Sequence, residues 1–359
     1  FKEQIKMKKV RIGLVGAGNI ANTHIQSYLK NPNVEIAAIC DIDPVMLAET
    51  ADKYGIKNRY NTLDEMLASE KELDGADVCV WNCNHAKCTI ACLDAGLNVL
   101  CEKPMAYNAK EAEEMYEASV RNNKLLMIGF VTRYNPEIIV VKDFIDNGYL
   151  GDIYYAKAQY VRRHGNPGGW FGDKSRSGGG PVIDLGVHVI DRARYLMGNH
   201  KPVSVFGVTY NNIGRRDYLK TNVGWSPKNA KPEDPCDVED YASALIRFDN
   251  GSVISLETGY DVNVREKFGL ELYGTKGGME TEGVTKLFTE TNGYLTNVDI
   301  DIKNLKNAKP MFDAEMDDFV NCIAEGKTSH ASAKDGIVVM KILDAIYKSA
   351  ATGHEVTID

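Results

Sequence analysis

Val10-Arg11-Ile12-Gly13-Leu14-Val15-Gly16-Ala17-Gly18-Asn19-Ile20-Ala21 is the stretch whose reading decides the fold. An apolar run stops at two glycines, and apolar residues then recur at three- and four-residue spacing from Ile20 to Leu29, which reads as strand, tight turn and helix. In a G-x-G-x-x-A of this kind each small residue has a task. Gly16 permits the turn, Gly18 lets backbone approach a pyrophosphate, and Ala21 allows close helix-to-strand packing, while the first helical amides at Asn19 and Ile20 face the anion. Taken alone, the same residues also fit a glycine-rich turn with no ligand.

Working outward, a second apolar run, Val34–Cys40, ends at Asp41, about twenty residues beyond the glycines, where a carboxylate can accept hydrogen bonds from the adenosine ribose hydroxyls. Asp41 would repel a 2′-phosphate, and Ile42 supplies no positive charge, so NAD is expected over NADP. The competing role for Asp41 is to cap the helix starting near Pro44, for which Asp43 is better placed. Strands are predicted at Val10–Val15, Val34–Cys40, Val78–Trp81, Asn98–Cys101 and Leu125–Val131. Helices are predicted at Ile20–Leu29, Pro44–Tyr54, Ala86–Ala95 and Ala109–Asn122, with Gly55 and Gly96 just past two helix ends. Strands alternating with helices specify a parallel, doubly wound sheet.

After Pro136 the pattern changes. A helix over 136–147, a strand over 152–163, a helix over 181–197, and strands near 241–248, 252–260, 268–274 and 286–291 precede closing helices over 311–325 and 333–352. Asp249-Asn250-Gly251 reads as a hairpin turn. The expected architecture is an N-terminal Rossmann dinucleotide-binding domain over 7–130 and a C-terminal α+β domain over 131–359. The second carries a large, mostly antiparallel open sheet, and its C-terminal helix is free to pack back on the first domain. A chain of 359 residues normally divides this way.

With 44% apolar and 26% charged residues the chain has the balance of a globular protein, and a net charge of −8 disfavours nucleic acid as a partner. The basic cluster Lys6, Lys8, Lys9 and Arg11 flanks a strand and reads as a solvated edge; residues 1–6 read as a tail. No apolar run is long enough for a membrane span, so a cytoplasmic protein without a membrane partner is expected. Eight cysteines include a cluster from Cys79 to Cys101, but no C-x-x-C pairs them. They are read as reduced packing residues, two of them, Cys79 and Cys101, in strands, and no metal site is expected.

Three ordered segments then stand out: Gly16-Ala17-Gly18-Asn19-Ile20-Ala21, Glu102-Lys103-Pro104 at the end of Ala95-Gly96-Leu97-Asn98-Val99-Leu100-Cys101, and Gly178-Gly179-Gly180-Pro181-Val182-Ile183-Asp184-Leu185-Gly186-Val187-His188. Together with the closing Asp335-Gly336 and Gly353-His354-Glu355-Val356, they resemble the Gfo/Idh/MocA family of oxidoreductases, which includes inositol and glucose-fructose dehydrogenases. The resemblance spans nearly the whole chain. It implies that Lys103 meets substrate and nicotinamide beside Glu102, that the Lys103–Pro104 peptide is cis, and that Asp184 and His188 form the catalytic pair with the lysine.

Spacing alone puts Asp184 and His188 on one helix face at i, i+4, which suits either an exposed pair or a relay in which His188 takes an alcohol proton and Asp184 holds the imidazole. The resemblance favours the relay. It also aligns Asn82, Asn84 and His85 with a Thr-Pro-Asn-His segment at the nicotinamide, although Cys83 replaces the proline. It places Arg133 at the domain junction, as a cofactor or substrate contact or as a salt bridge. Tyr160, Arg162, Arg163, His164 and Trp170 fall in a region that shapes specificity in similar enzymes, and Tyr160, Arg163 and Trp170 are expected to join Lys103, Asp184 and His188 around the substrate.

The function expected is NAD-dependent hydride transfer at a secondary hydroxyl of a sugar, glycoside or inositol, in a homo-oligomer. The alternatives are an NAD-dependent glycoside hydrolase using transient oxidation, and a non-catalytic NAD-binding sensor.

Overall fold

A computed structural model describes residues 9–216, 218–221, 224–228 and 230–359. The tail over 1–6 and the basic residues Lys6 and Lys8 lie outside them. In chain order the elements are β1 (Val10–Val15), α1 (Asn19–Tyr28), β2 (Val34–Cys40), α2 (Pro44–Tyr54), β3 (Asn58–Tyr60), α3 (Leu63–Ser69), β4 (Gly75–Val78), α4 (His85–Asp94), β5 (Asn98–Cys101), α5 (Ala109–Asn122) and β6 (Leu126–Ile128). There follow α6 (Pro136–Asp146), β7 (Ile153–Val161), α7 (Lys174–Ser177), α8 (Val187–Leu196), β8 (Pro202–Tyr210), β9 (Tyr241–Phe248), β10 (Val253–Gly259), β11 (Lys267–Gly274), β12 (Gly278–Glu280), β13 (Lys286–Thr291), β14 (Tyr294–Asp299), α9 (Met311–Glu325), α10 (Ala333–Thr352) and β15 (Val356–Thr357).

The chain forms two compact units, 1–131 with 310–334 and 132–309 with 335–359. Of the two closing helices it is α9 that belongs to the first unit, while nearly all of the C-terminal α10 belongs to the second. Lys30 Nζ meets the Asp313 carboxylate at 2.8 Å, Asn31 donates to Asp317 at 2.7 Å, and the Ile128 amide donates to Ala331 at 3.0 Å. Met316, Phe319 and Val320 of α9 are buried.

In the first unit six strands run parallel in the order β3-β2-β1-β4-β5-β6. The order reverses beside β1, so the C-terminal ends of β1 and β4 flank the crevice where open α/β sheets bind ligands. The strand expected at Val78–Trp81 lies earlier, at Gly75–Val78, and Cys79 stands just past its end. A wholly buried Asp77 interrupts the apolar pattern there and hides the strand from hydropathy.

The second unit holds nine strands in the order β14-β13-β12-β11-β7-β10-β9-β8-β15, antiparallel except where β7 pairs with β10. Alternation along the strands buries Ala156, Ala158, Leu256, Ala244, Ile246 and Leu270 on the face carrying α8. The opposite face runs through Phe206, Leu245, Ser255, Lys157 and Glu271 in one row, with Phe206 and Leu245 exposed.

The helix expected over 181–197 is divided. Val182–Gly186 form a wide π turn before α8 begins. Its amides at Gly180 and Val182 donate to the buried Glu239 carboxylate, both at 3.0 Å, which also accepts from Tyr347 Oη at 2.8 Å. Burial raises the pKa of Glu239, against the pull of those donors. A glycine is obligatory at 180, because a Cβ would lie 2.5 Å from the Glu239 carbonyl oxygen. Gly180→Ala is therefore expected to destabilise the protein by about 1–3 kcal/mol through overpacking; a thermal melt coincident with the parent would contradict this packing.

Candidate active site

The dinucleotide end is built from backbone. Gly16 has φ +104°, and a Cβ on it would stand 2.4 Å from the Cys79 carbonyl oxygen. Gly18 is different: a Cβ there meets nothing within 4 Å. Gly18 is also the N-cap of α1, with no side-chain cap and no acidic residue in the first turn. The amides of Asn19 and Ile20 therefore begin a helix whose positive end faces open space, and that donor set fits a pyrophosphate.

Asp41, at the end of β2, accepts from the Ala17 amide at 2.6 Å and from the Asp43 amide at 2.8 Å. Burial raises its pKa, and the two amides oppose that rise. Each carboxylate oxygen keeps a lone pair for a further donor. The capping role falls to Asp43, which accepts from Val45 and Met46 at the start of α2. Ile42 is exposed and, among the described residues, no cation pairs with Asp41, so the residues present fit NAD.

Asn82 and Asn84 form a 3₁₀ turn leading into α4; Asn82 is buried and Asn84 half-buried. His85 is buried with Nδ1 2.7 Å from the Pro104 carbonyl oxygen and Nε2 3.1 Å from that of Val80. Burial lowers its pKa. The neutral ring has one N–H, which serves only one of these carbonyls, and the shorter contact ties His85 to the Lys103–Pro104 turn. That peptide is cis.

Glu102 likewise faces inward. Its Oε2 accepts the Lys103 amide at 2.9 Å, and its Oε1 lies 3.1 Å from His24 Nε2, while Lys103 itself is half-exposed. The other nitrogen of the wholly buried His24 lies 2.9 Å from Asp77 Oδ2. Burial opposes charge on this ring, but Asp77 and Cys79 win and its pKa is raised well above the usual value. Glu102 is lowered: burial works against it, and the hydrogen bond and charge of His24 prevail.

Sequence reading missed His24 and Asp77. The signal was a polar residue on the buried stripe Ala21, His24, Ile25, Tyr28 of α1 and an acid inside an apolar strand. His24, Asp77 and Cys79 also form a group whose donor atoms lie within 4.8 Å of one another, close enough for a metal ion. The Asp77–His24 contact and the Cys79 Sγ to Asp77 Oδ1 contact of 3.3 Å account for the cluster as a hydrogen-bonded one.

In the second unit, Asp184 and His188 are the half-buried residues in an otherwise buried stretch from 180 to 190. Because Asp184 sits in the π turn, its angular offset from His188 is not that of a regular helix. Asp184 Oδ2 accepts from Tyr260 Oη at 3.1 Å, a partner the sequence did not signal. Arg162 carries the same cluster outward: it donates to Tyr160 Oη at 2.9 Å, and Asp184 is among the charges that raise its pKa against burial. The Tyr160 ring packs 4.4 Å from Phe268.

Arg163, expected at the substrate, is exposed with its amide on Glu266; strand parity beyond β7 brings Arg162 to Asp184 instead. His164 pairs with the buried Asp261 at 3.1 Å. Trp170 is half-buried, its ring 4.0 Å from Phe171. Arg133 resolves as an ion pair. Its wholly buried guanidinium binds Asp191 through two nitrogens at 2.9 and 2.6 Å and Asp335 at 3.2 Å, within the second unit.

Comparison with known proteins assigns both halves. Residues 10–130 match the family model described as oxidoreductase family, NAD-binding Rossmann fold, and 142–358 the companion C-terminal alpha/beta domain. The chain is 30% identical to D-glucoside 3-dehydrogenase of Escherichia coli over 99% of both proteins, and 28% identical to levoglucosan dehydrogenase of Pseudarthrobacter phenanthrenivorans over 96% of this chain and 97% of that one. It is 27% identical to an inositol 2-dehydrogenase/D-chiro-inositol 3-dehydrogenase of Lactiplantibacillus plantarum over 95% and 91%. A solved levoglucosan dehydrogenase in complex with NADH superposes with a TM-score of 0.85 at 26% identity, covering 98% of this chain and all of that one. With both domain models matched in order and nearly every residue spanned, the chain belongs to the Gfo/Idh/MocA family of oxidoreductases and carries its NAD-binding Rossmann domain.

Proposed function

We propose that this enzyme oxidises a secondary hydroxyl of a sugar, glycoside or cyclitol, or reduces the matching ketone, with Lys103, Asp184 and His188 serving the same carbinol. The observation that carries the reading is that Asp184 and His188 are the accessible residues of a buried stretch, with Asp184 bonded to the hydroxyl of Tyr260 and acting on the guanidinium of Arg162. A polyol needs such a density of donors and acceptors. An aliphatic substrate would not. Relatives named as acting on glucosides, levoglucosan and inositols support the substrate class.

NAD, when bound, supplies the hydride acceptor. His188 removes the hydroxyl proton, Asp184 stabilises the imidazolium that results, and the Lys103 ammonium polarises the oxygen as it becomes a carbonyl. Fixing the substrate beforehand is the larger share of the protein's contribution. Cytoplasmic location is part of the same proposal; among the described residues no helix is long and apolar enough to cross a membrane. A homo-oligomer is proposed from the open sheet face, where Phe206 (46% exposed), Leu245 (48%) and Tyr210 (48%) leave apolar surface uncovered.

Incubation with NAD and a panel of inositols, hexoses and glycosides is expected to yield NADH with a ketone product. Bond cleavage without net redox change would transfer the protein to the hydrolase class. Lys103→Met and His188→Ala are expected to cut kcat about 10²–10⁴-fold while NADH binding, read by fluorescence, persists. Unchanged turnover in both would remove them from the chemistry. Asp41→Ala is expected to weaken NADH binding and to narrow the gap to NADPH, because the ribose acceptor and the repulsive charge go together; an unaltered ratio of the two affinities would reassign Asp41. In sedimentation the parent is expected to run as a dimer or tetramer and Leu245→Arg as a smaller species, whereas a monomeric parent would refute the oligomer.

A further inference from the structure

Within the first unit, one chain of contacts runs from the dinucleotide helix to the lysine turn. His24 stands in the second turn of α1, and the first turn of that helix forms the pyrophosphate end. Its ring lies between two carboxylates: Nδ1 hydrogen-bonds Asp77 at 2.9 Å, Nε2 stands at ion-pair distance, 3.1 Å, from Glu102 without hydrogen-bond geometry, and the second oxygen of Glu102 holds the Lys103 amide at 2.9 Å. All three side chains are buried, so none of these contacts is loosened by water. A cation between Asp77 and Glu102 stops the two from repelling one another, and its charge holds Glu102 ionised to accept the next residue's amide.

We propose that His24 is a positioning residue, which couples the helix that receives the dinucleotide to the turn that presents Lys103, through Glu102. The inference rests on Lys103 acting in the reaction described above. Around the ring lie Asp77, Cys79, Glu102, the Phe312 ring at 5.7 Å, and the buried Glu315, whose two oxygens have no hydrogen-bond partner among the described residues. Burial raises the pKa of Glu315, with Glu102 next in effect, which leaves the imidazolium to serve Asp77 and Glu102. The charge of Lys103 also acts on Glu102, with less effect than that of His24. Loss of His24 would leave two facing carboxylates, and Glu102 would no longer be held against the Lys103 backbone.

The test is a double-mutant cycle with His24→Ala and Glu102→Ala, measuring kcat, KM and NADH affinity, with Lys103→Met run alongside. Each single variant is expected to lose about 10²-fold in kcat, the cost of a misplaced reacting group, with NADH affinity and KM within a few-fold of the parent. The double variant is expected to be no worse than the poorer single. Should His24→Ala fail to fold, Asp77→Asn and Glu102→Gln, which keep size and one acceptor oxygen, are expected to lose kcat with the parent's melting temperature largely retained.

Parent-like kcat in His24→Ala, or losses that multiply in the double variant, would overturn the coupling. So would a stoichiometric metal ion in the purified enzyme that His24→Ala and Cys79→Ser both abolish, because the cluster would then be a metal centre. Full activity in Lys103→Met would instead defeat the catalytic reading and is read independently of the cycle.

Discussion

The first unit depends on how closely β1 and β4 approach beyond their last ladder bonds. Gly16 turns against the Cys79 carbonyl at a distance no Cβ tolerates, with the left-handed φ that glycine adopts without penalty. That contact sets where α1 starts and which way its first amides face. It also brings β4 close enough for Asp77 to reach α1. A parallel sheet whose order reverses at this point leaves a crevice, and the glycine gives the crevice its floor.

The second unit solves a comparable problem with buried polar groups. The start of the wide turn leaves amides with no partner inside the helix, as any helix N-terminus does, and Glu239 supplies the acceptors from the segment before β9. Tyr347 of α10 donates to the same carboxylate. The geometry of Asp184 is therefore set by three remote parts of the chain, and the glycines at 179 and 180 are there because Tyr347 and Glu239 occupy the space their side chains would need. Arg133, Asp191, Asp335 and Arg194 make a second buried network close in sequence to His188, satisfied by paired charges rather than by apolar packing.

Much of this was legible in the residues. The glycine turn, the Asp41 position, β5 and the closing helices follow from periodicity and caps, because hydrophobic spacing and turn chemistry act locally. What failed has a common cause. Asp77 broke an apolar run, and the strand holding it was read three residues late; His24 looked like an ordinary helix residue; Arg133 admitted two readings until Asp191, 58 positions away, was seen to hold it. Long-range compensation of buried charge leaves no periodic mark. The strands β3 and β12 went unread because three residues carry too little pattern, and the longer β8 and β14 were missed as well.

The return of α9 to the first unit has a consequence for how the polypeptide is made. Residues that complete the core around α1 and β1 leave the ribosome some 180 positions after β6, once all nine-strand residues but the last pair have been synthesised. Until then the faces of α1 and β1 that Met316, Phe319 and Val320 will cover remain open, and the buried carboxyl of Glu315 is absent from beside His24. Vectorial folding, in which the leading domain closes before the trailing one emerges, is thus denied to this architecture. The dinucleotide half reaches its finished form only after β7 to β14 of the other unit have been synthesised.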